Sequence, residues 1–239
     1  MDWAEIEAVV YSEENHPRDI LGPRVTEDGI LIQAFFPGAT RAAVHTIRDG
    51  KQTEMVCEDE AGFFAVLLPG KKIPSYTLIY WDGDGNQMEH YDPYAYPMQF
   101  TEQEQKQFEN GYSIYEKMGA HPVKIDGISG VYFAVWAPNA IRVSVVGDFN
   151  NWDGRAYQMN LLESGIYELF IPGVRAGDIY KYEIKAKGGL TYLKSDPYAN
   201  AAQLRPNNAS VVVDLGKYAW QDENWMKKRG VTQGDKAPI

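Results

Sequence analysis

The sequence predicts an all-β protein made of two tandem β-sandwich modules that are joined by a short helical linker. Three observations support this prediction. A set of short motifs recurs about one hundred residues further along the chain. The segments between the motifs are dense in β-branched and aromatic residues, and helical patterns occur only outside those segments.

The repeat consists of matched motifs whose separation drifts slowly along the chain. Asp28-Gly29-Ile30 recurs at 126–128, a shift of 98 residues, and Asp92-Pro93-Tyr94-Ala95 recurs at 196–199, a shift of 104 residues. Further matches link 36–39 with 137–140, 62–70 with 165–173, and 76–80 with 180–184. The drift indicates small loop insertions between matching strands, so two copies of one module explain the pattern better than chance does.

The predicted strands of each copy are short and end at turn-forming residues. In the second copy, segment 131–136 stops at Pro138 and segment 142–146 stops at Gly147. The remaining strand segments are 166–171, 179–184 and 211–213 in the second copy and 30–36, 42–47, 63–68 and 76–81 in the first. This spacing predicts one β-sandwich of about one hundred residues per copy. We expect Trp136, at the end of the first of these segments, to lie in the core.

Helical patterns flank the strand segments. Residues 2–11 carry apolar side chains on one helical face, Thr101 and Glu104 predict a capping box that opens a linker helix toward Lys117, and 222–229 predicts a third helix. The predicted domains are a first module over 1–100, a helical linker over 101–118, a second module over 119–216 and a further linker over 217–239. Because 230–239 has no periodicity, we expect this last linker to lead toward another domain.

The net charge limits the kinds of partner that the protein can bind, and the cysteine content indicates its cellular compartment. The chain has 33 acidic and 23 basic residues, a formal net charge of −10. Such a surface repels phosphate and anionic lipid, so we expect neither nucleic acid nor membrane as a partner and favour a neutral or cationic ligand. Cys57 is the single cysteine, and no apolar run approaches the roughly 18 residues of a membrane helix. These features predict a cytoplasmic protein.

The common catalytic, metal and cofactor motifs do not fit this sequence. The four histidines are isolated, and segment 82–86 opens like a calcium loop but places Gln87 and Pro93 where that loop needs Gly and Glu. Gly70-Lys71-Lys72 lacks the rest of a phosphate-binding loop, and the carboxylates of 58–60 are neighbours in a polar run. We therefore expect no catalytic residue, no metal site and no cofactor.

Trp152 is the strongest candidate for a binding residue. It lies between Gly147 and Gly154 in a loop dominated by Asn, Asp and Gly, where a large aromatic side chain is expected to be partly exposed. An exposed indole can stack on the apolar C–H face of a sugar ring, while the side chains of Asn150, Asn151 and Lys181 bond its hydroxyl groups. The alternative is a tryptophan that only anchors the loop.

The motifs of the second copy resemble carbohydrate-binding module family 48 of the glycogen branching enzymes. The resemblance rests on 130–140, 143–154, 180–184 and Lys194-Ser195-Asp196-Pro197-Tyr198-Ala199. Segment 115–122 is similar to the stretch that leads into that module, and 16–23 and 34–39 resemble the extra N-terminal domain of the same enzymes. The resemblance spans nearly the whole chain and implies two immunoglobulin-like β-sandwiches, the first a diverged sister of the second.

The family implies a function for these modules. Its enzymes join them to a (β/α)₈ barrel of glycoside hydrolase family 13, whose Asp nucleophile and Glu acid/base cut an α-1,4-glucan and form an α-1,6 branch. Barrel motifs do not occur in this sequence. The resemblance therefore implies a non-catalytic N-terminal part of a branching enzyme, inactive alone. Its implied partners are α-1,4-glucan (glycogen and maltooligosaccharides) and the catalytic barrel of the same polypeptide.

The sequence departs from the family in its second aromatic residue and leaves other functions open. Glycogen-binding modules carry a second tryptophan just before the Asp-Pro pair, where this chain has Tyr192-Leu193-Lys194, so Tyr192 is the candidate substitute. In the first module the equivalents of Trp152 and Lys181 fall near 48–49 and at Thr77, which predicts no site there. A stand-alone glycogen-binding regulatory or scaffolding protein, an immunoglobulin-like interaction protein and a debranching enzyme remain alternatives. Bracing of the barrel remains an alternative to glucan binding.

Overall fold

The structure, a computed structural model, describes residues 3–112, 114–217 and 219–232. Within these residues it contains seventeen β-strands in four antiparallel sheets and three α-helices. The helices are α1 (Trp3–Val10), α2 (Glu102–Glu109) and α3 (Glu223–Thr232). Two sheets face each other in each copy of the repeat, which confirms the prediction of an all-β protein with two tandem sandwich modules.

The first module is a sandwich of two four-stranded sheets with strand orders β1-β2-β6-β5 and β4-β3-β7-β8. Its strands are β1 (Gly22–Val25), β2 (Ile30–Phe35), β3 (Arg41–Thr46), β4 (Lys51–Glu54), β5 (Val56–Asp59), β6 (Phe63–Leu68), β7 (Tyr76–Trp81) and β8 (Gln87–His90). Alternate residues of the facing strands, among them Ile32, Val44 and Leu78, are buried between the sheets.

The second module repeats this architecture with longer strands. One sheet has the order β12-β13-β10-β9, and the other has the order β11-β14-β17-β16 with β15 paired to β14. Its strands are β9 (Gly119–Ile125), β10 (Ile128–Trp136), β11 (Ala140–Gly147), β12 (Asn160–Leu161), β13 (Ile166–Pro172), β14 (Ile179–Ala186), β15 (Thr191–Lys194), β16 (Ala201–Ala202) and β17 (Ser210–Val211). The central pairs β10–β13 and β11–β14 match β2–β6 and β3–β7 of the first module.

The linker between the modules begins with the predicted capping box. The Glu104 backbone N–H donates to the Thr101 hydroxyl, and the Thr101 backbone N–H donates to the Glu104 carboxylate. Helix α2 ends at Glu109, short of Lys117, whose ammonium group returns to pair with Glu104 at 2.6 Å. The buried Glu168 carboxylate of β13 accepts hydrogen bonds from the backbone N–H groups of residues 99 and 100. The linker is thereby fixed on the outer face of the β10–β13 sheet.

Trp136 corrects one expectation, because it is 54% exposed rather than buried in the core. It follows Tyr132 and Ala134 on the face of β10 that the linker covers, whereas Val131 and Phe133 point into the sandwich. Phe108 of α2 meets the indole edge to face at 6.1 Å. As the last residue of its strand, Trp136 extends beyond the cover that the linker provides.

Helix α1 connects the two modules rather than capping the first. Ile6 and Val9 are buried in the same core cluster as Val143 and Tyr182 of the second sandwich. The side chain of Gln158 donates to the Val9 carbonyl at 2.9 Å. Phe35, Phe63 and Tyr94 of the first module belong to this cluster as well. Helix α1 therefore packs against the second sandwich, and the two modules share buried apolar surface.

Candidate functional site

The loop from Gly147 to Gly154 is shaped by the amide group of Asn150. The Asn150 side chain accepts from the Gly147 backbone N–H at 2.9 Å. It donates to the Val145 carbonyl at 3.0 Å and to the Asp153 carbonyl at 3.2 Å. These bonds bring the two ends of the loop together. Asn150, which the sequence predicts to bind the ligand, thus uses its hydrogen-bonding groups within the loop itself.

Trp152 is held at the tip of this loop in an unusual backbone conformation. Asn151 and Trp152 have φ angles of 53° and 58°, in the left-handed region that bulky side chains rarely adopt. The Trp152 backbone N–H donates to the Gly147 carbonyl at 3.0 Å, and its indole N–H donates to the Asp148 carboxylate at 2.8 Å. The indole remains half-buried, with one edge fixed by Asp148. Such an outlier persists only where the surroundings enforce it, and it marks the loop as a candidate functional segment.

Two glycines let the loop lie close to strand β14. A Cβ atom at Gly147 would lie 2.3 Å from the Ile179 carbonyl oxygen, and one at Gly154 would lie 2.0 Å from the Glu183 carboxylate. Glu183 in turn pairs at 2.8 Å with Arg142, which is only 3% exposed. The loop therefore packs directly on the outer face of the β11–β14 pair, over the Arg142–Glu183 ion pair.

Lys181 lies on this same outer face, beside the start of the loop. It is the register partner of Val146, the residue before Gly147. Its ammonium group donates to the Asn208 side-chain oxygen at 2.6 Å. Asn208 lies between β16 and β17 in a segment whose Leu204 is 90% exposed. Sequence reasoning missed Asn208, because only the pairing of β14 with β17 brings residues 27 positions apart together.

Tyr192 is separated from Lys181 by the sheet itself. Tyr192 pairs with Ile184, which packs against the core, whereas its neighbour Leu193 pairs with Glu183. Because cross-strand partners point to the same face, Leu193 shares the outer face with Lys181 and Tyr192 points to the other side. Lys181 and Asn208 meet on the outer face, beside the strand end from which the Trp152 loop starts. An exposed Leu193 lies on that face where the sequence had suggested Tyr192.

The first module has different residues at the equivalent positions. Thr77, at the position of Lys181, donates its hydroxyl to Glu89, and the His45 ring nitrogen contacts the same carboxylate at 2.8 Å. Strand β3 ends at Thr46 and turns within four residues into β4, so no loop comparable to 147–154 is formed there. The two modules therefore share a framework but not the arrangement around Trp152.

Other kinds of site are not evident in the part of the chain that the structure describes. Among those residues, no group of three or more His, Cys, Asp or Glu side chains is placed to hold a metal ion. Within residues 3–112, 114–217 and 219–232, no helix combines the length and apolar character needed to cross a membrane. The 82–86 segment is a turn, in which the Asp82 carboxylate accepts from the backbone N–H groups of Asp84 and Asn86.

Comparison with known families matches both modules. Residues 117–199 match carbohydrate-binding module 48 (isoamylase N-terminal domain), and residues 2–94 match the N-terminal domain of the α-1,4-glucan branching enzyme GlgB. The chain is 42% identical to the 1,4-alpha-glucan branching enzyme GlgB of Synechococcus sp. (strain JA-3-3Ab) in an alignment that covers 96% of its length. It is also 42% identical to the protein of the same name from Rubrobacter xylanophilus, in an alignment that covers 98% of its length. The chain spans 32% of the length of each of these relatives.

Among solved structures, a pullulanase from Anoxybacillus sp. LM18-11 aligns with 83% of this chain and 28% of its own, with 15% identity and a TM-score of 0.37. That similarity is too low to support an inference. The fold and the family matches define a pair of β-sandwiches, the second of which matches carbohydrate-binding module 48. The chain corresponds to the N-terminal region of the 1,4-alpha-glucan branching enzymes, outside their catalytic domain.

Proposed function

We propose that the second module binds α-1,4-glucan and positions it for a branching reaction that the remainder of a longer enzyme performs. That reaction cuts an α-1,4-glucan and reattaches the piece through an α-1,6 bond. The observation that carries the proposal is the pairing of Lys181 with Asn208 on the outer sheet face, beside the loop that presents Trp152. The ligands are glycogen and maltooligosaccharides.

The chemistry of this surface suits a neutral, ring-shaped ligand. The indole of Trp152 offers a face for stacking against the C–H side of a glucose ring, and Lys181 and Asn208 offer donors and an acceptor for its hydroxyl groups. One aromatic face with few polar contacts gives weak binding, near the millimolar scale or about −4 kcal/mol. We expect the first module to contribute no equivalent of this site.

A titration with maltoheptaose tests the proposed site at Lys181. The variant Lys181→Gln keeps a polar side chain but loses the ammonium group that meets Asn208, so we expect at least a fivefold weaker dissociation constant. Lys124→Gln, on the exposed edge strand β9, removes the same charge far from the loop and serves as the matched control. Equal weakening in both variants would show a general charge effect and contradict the site.

The chain itself carries no catalytic role in this proposal. Incubation of the 239-residue chain with amylose is expected to leave the iodine absorption spectrum unchanged. Branching activity in that assay would contradict the assignment of catalysis to the rest of the enzyme. We place the enzyme in the cytoplasm, in keeping with the single cysteine. The alternative is a stand-alone glycogen-binding regulatory or scaffolding protein, which a stop codon directly after residue 239 would favour.

A second role, bracing of the catalytic barrel, is supported by apolar side chains near the end of the described chain. Leu215, Trp225 and Met226 are exposed large apolar residues in and before α3. Exposed large apolar side chains of this kind are available to a partner surface. In the full-length enzyme, Trp225→Ala should lower the unfolding midpoint by several degrees, whereas it should change that of the 239-residue chain little. Equal effects in both proteins would contradict the bracing role.

A further inference from the structure

A concave surface lies between the two modules, and Trp152 is not among the residues that line it. It is a cleft of about 210 Å³. Its first wall comes from Phe36, Tyr80 and His90 of the first module, and its second wall comes from Asn151 and Tyr157 of the second. The shared core and the 3.0 Å hydrogen bond from the Tyr94 hydroxyl to the Gln158 carbonyl fix the two walls relative to each other.

The first wall is a continuous aromatic surface. Phe36 stacks on Tyr80 with 4.4 Å between ring centres and 13° between ring planes. Tyr80 stacks in turn on His90 at 5.7 Å and 24°. Three nearly parallel rings present edges and faces against which the apolar side of a sugar ring packs favourably.

Both walls carry hydrogen-bonding groups that the chain leaves free. Among the described residues, the hydroxyl groups of Tyr80 and Tyr157 and the side-chain amide of Asn151 form no hydrogen bond within the protein. Burial lowers the pKa of His90, which keeps its ring neutral near pH 7 with one donor and one acceptor nitrogen. A cleft with unpaired hydroxyl, amide and imidazole groups is built for a ligand that both donates and accepts hydrogen bonds.

Charge and size restrict that ligand further. Of the described residues that line the cleft, none is Lys or Arg, whereas Asp82, Asp92 and Asp153 are present. Anions are therefore excluded, and these carboxylates already accept hydrogen bonds from their own loops. The volume lies below the roughly 300–1,000 Å³ of pockets that enclose drug-sized ligands, so it suits a single sugar ring.

We propose that this cleft is a second saccharide site, which takes one glucosyl unit of an α-glucan between the two modules. The inference rests on the proposed function for the class of ligand, but not on the contacts of Trp152. Asn151 lines the cleft while its neighbour Trp152 lies outside it, so one loop serves both sites. Two weak sites on one rigid unit hold a branched or folded glucan more tightly than either site does alone.

The test is an NMR titration of the 239-residue chain with maltotriose, followed at the His90 ring and at the Trp152 indole N–H. We expect both signals to shift with separate dissociation constants. The double variant Tyr80→Phe, Tyr157→Phe removes two hydroxyl groups that have no hydrogen-bond partner among the described residues and leaves both rings in place. It should weaken binding at His90 about tenfold and leave binding at Trp152 unchanged. Tyr11→Phe, at an exposed residue directly after α1, is the matched control.

The outcomes separate the two proposals. A shift at Trp152 without a shift at His90 overturns the cleft site and leaves the proposed function standing. A shift at His90 alone supports the cleft and overturns the assignment of Trp152. The absence of both shifts overturns both proposals. A response at His90 that the double variant leaves intact also overturns the cleft as described.

Discussion

The hydroxyl group of Tyr180 donates a hydrogen bond of 2.6 Å to the buried carboxylate of Asp196. The same pair occurs 104 residues earlier, where Tyr76 donates to Asp92 at 2.6 Å. In both modules the other carboxylate oxygen accepts from the backbone N–H two residues on, at 2.8 Å and 2.9 Å. The repeat in the sequence thus reflects a repeated buried hydrogen bond. In each module this bond joins a strand of the sandwich, β7 or β14, to the Asp-Pro segment that follows.

Loss of the hydroxyl should cost more in the first module than in the second. In Tyr180→Phe, Asp196 keeps a second tyrosine, Tyr182, at 3.3 Å, whereas in Tyr76→Phe the Asp92 carboxylate keeps, among the described residues, only its backbone donor. We expect a loss of about 2–3 kcal/mol in the free energy of unfolding for Tyr76→Phe and about 1 kcal/mol for Tyr180→Phe. Urea denaturation of both variants checks the order, with Tyr11→Phe as the exposed control. A larger loss in Tyr180→Phe would contradict this reading of the two pairs.

Asp92 should make stability depend on pH in the mildly acidic range. Burial raises the pKa of Asp92 from 3.8 to about 6, although Tyr76, the Tyr94 N–H and the charge of Arg18 oppose the change. A carboxyl group whose pKa is higher in the folded than in the unfolded chain stabilises the fold while it is protonated. This stabilisation is lost as the pH rises through the folded pKa of about 6. Asp92→Asn stays neutral, so its stability relative to the native chain should rise by roughly 2 kcal/mol between pH 4 and pH 7.

Urea denaturation at several pH values measures this difference. Asp126→Asn, on an exposed turn, removes one carboxylate without touching the buried pair and serves as the control. A constant difference between Asp92→Asn and the native chain from pH 4 to pH 7 would contradict the raised pKa.

Gly147 should be required for the position of the Trp152 loop. Its φ of −174° is open to any residue, so the requirement is one of space. Gly147→Ala places a Cβ against the Ile179 carbonyl oxygen, and the loop or strand β14 must move, at a cost of about 1–3 kcal/mol. The same change should weaken maltoheptaose binding severalfold, because Trp152 hydrogen-bonds to the Gly147 carbonyl.

Gly83→Ala offers a matched control, since a Cβ there meets no atom within 4 Å and the φ angle of this residue is not in the left-handed region. Thermal unfolding and titration of both variants give the comparison. Unchanged binding in Gly147→Ala would show that the loop does not depend on this close approach.

Local patterns in the sequence were sufficient to predict the modules and their linker. The alternation of apolar residues, the motif repeat and the Thr101–Glu104 capping box each reflect interactions within one strand, turn or helix. The exposure of Trp136 was predicted wrongly. Strand β10 is covered on one face by the facing sheet and on the other by the linker, but the linker does not extend over Trp136, its last residue. The packing of α1 on the second sandwich depends on contacts across about 150 positions, and no local pattern encodes them.

The candidate site was predictable only in part, because some of its residues meet only through contacts between distant parts of the sequence. Trp152 and Lys181 stand out as an aromatic in a polar loop and a charge in an apolar strand. The choice between Tyr192 and Leu193 depends on strand register, where a slip of one residue reverses the face. Asn208 and the cleft beside Tyr80 arise from tertiary contacts alone.

The most direct test of the central claim is a calorimetric titration of maltoheptaose into the native chain, Trp152→Ala and Trp225→Ala. Trp225 is an exposed tryptophan on α3 and controls for the loss of an indole elsewhere. The account predicts a dissociation constant near the millimolar scale for the native chain and Trp225→Ala, and one at least tenfold weaker for Trp152→Ala. Identical isotherms for the native chain and Trp152→Ala would contradict glucan binding by this loop.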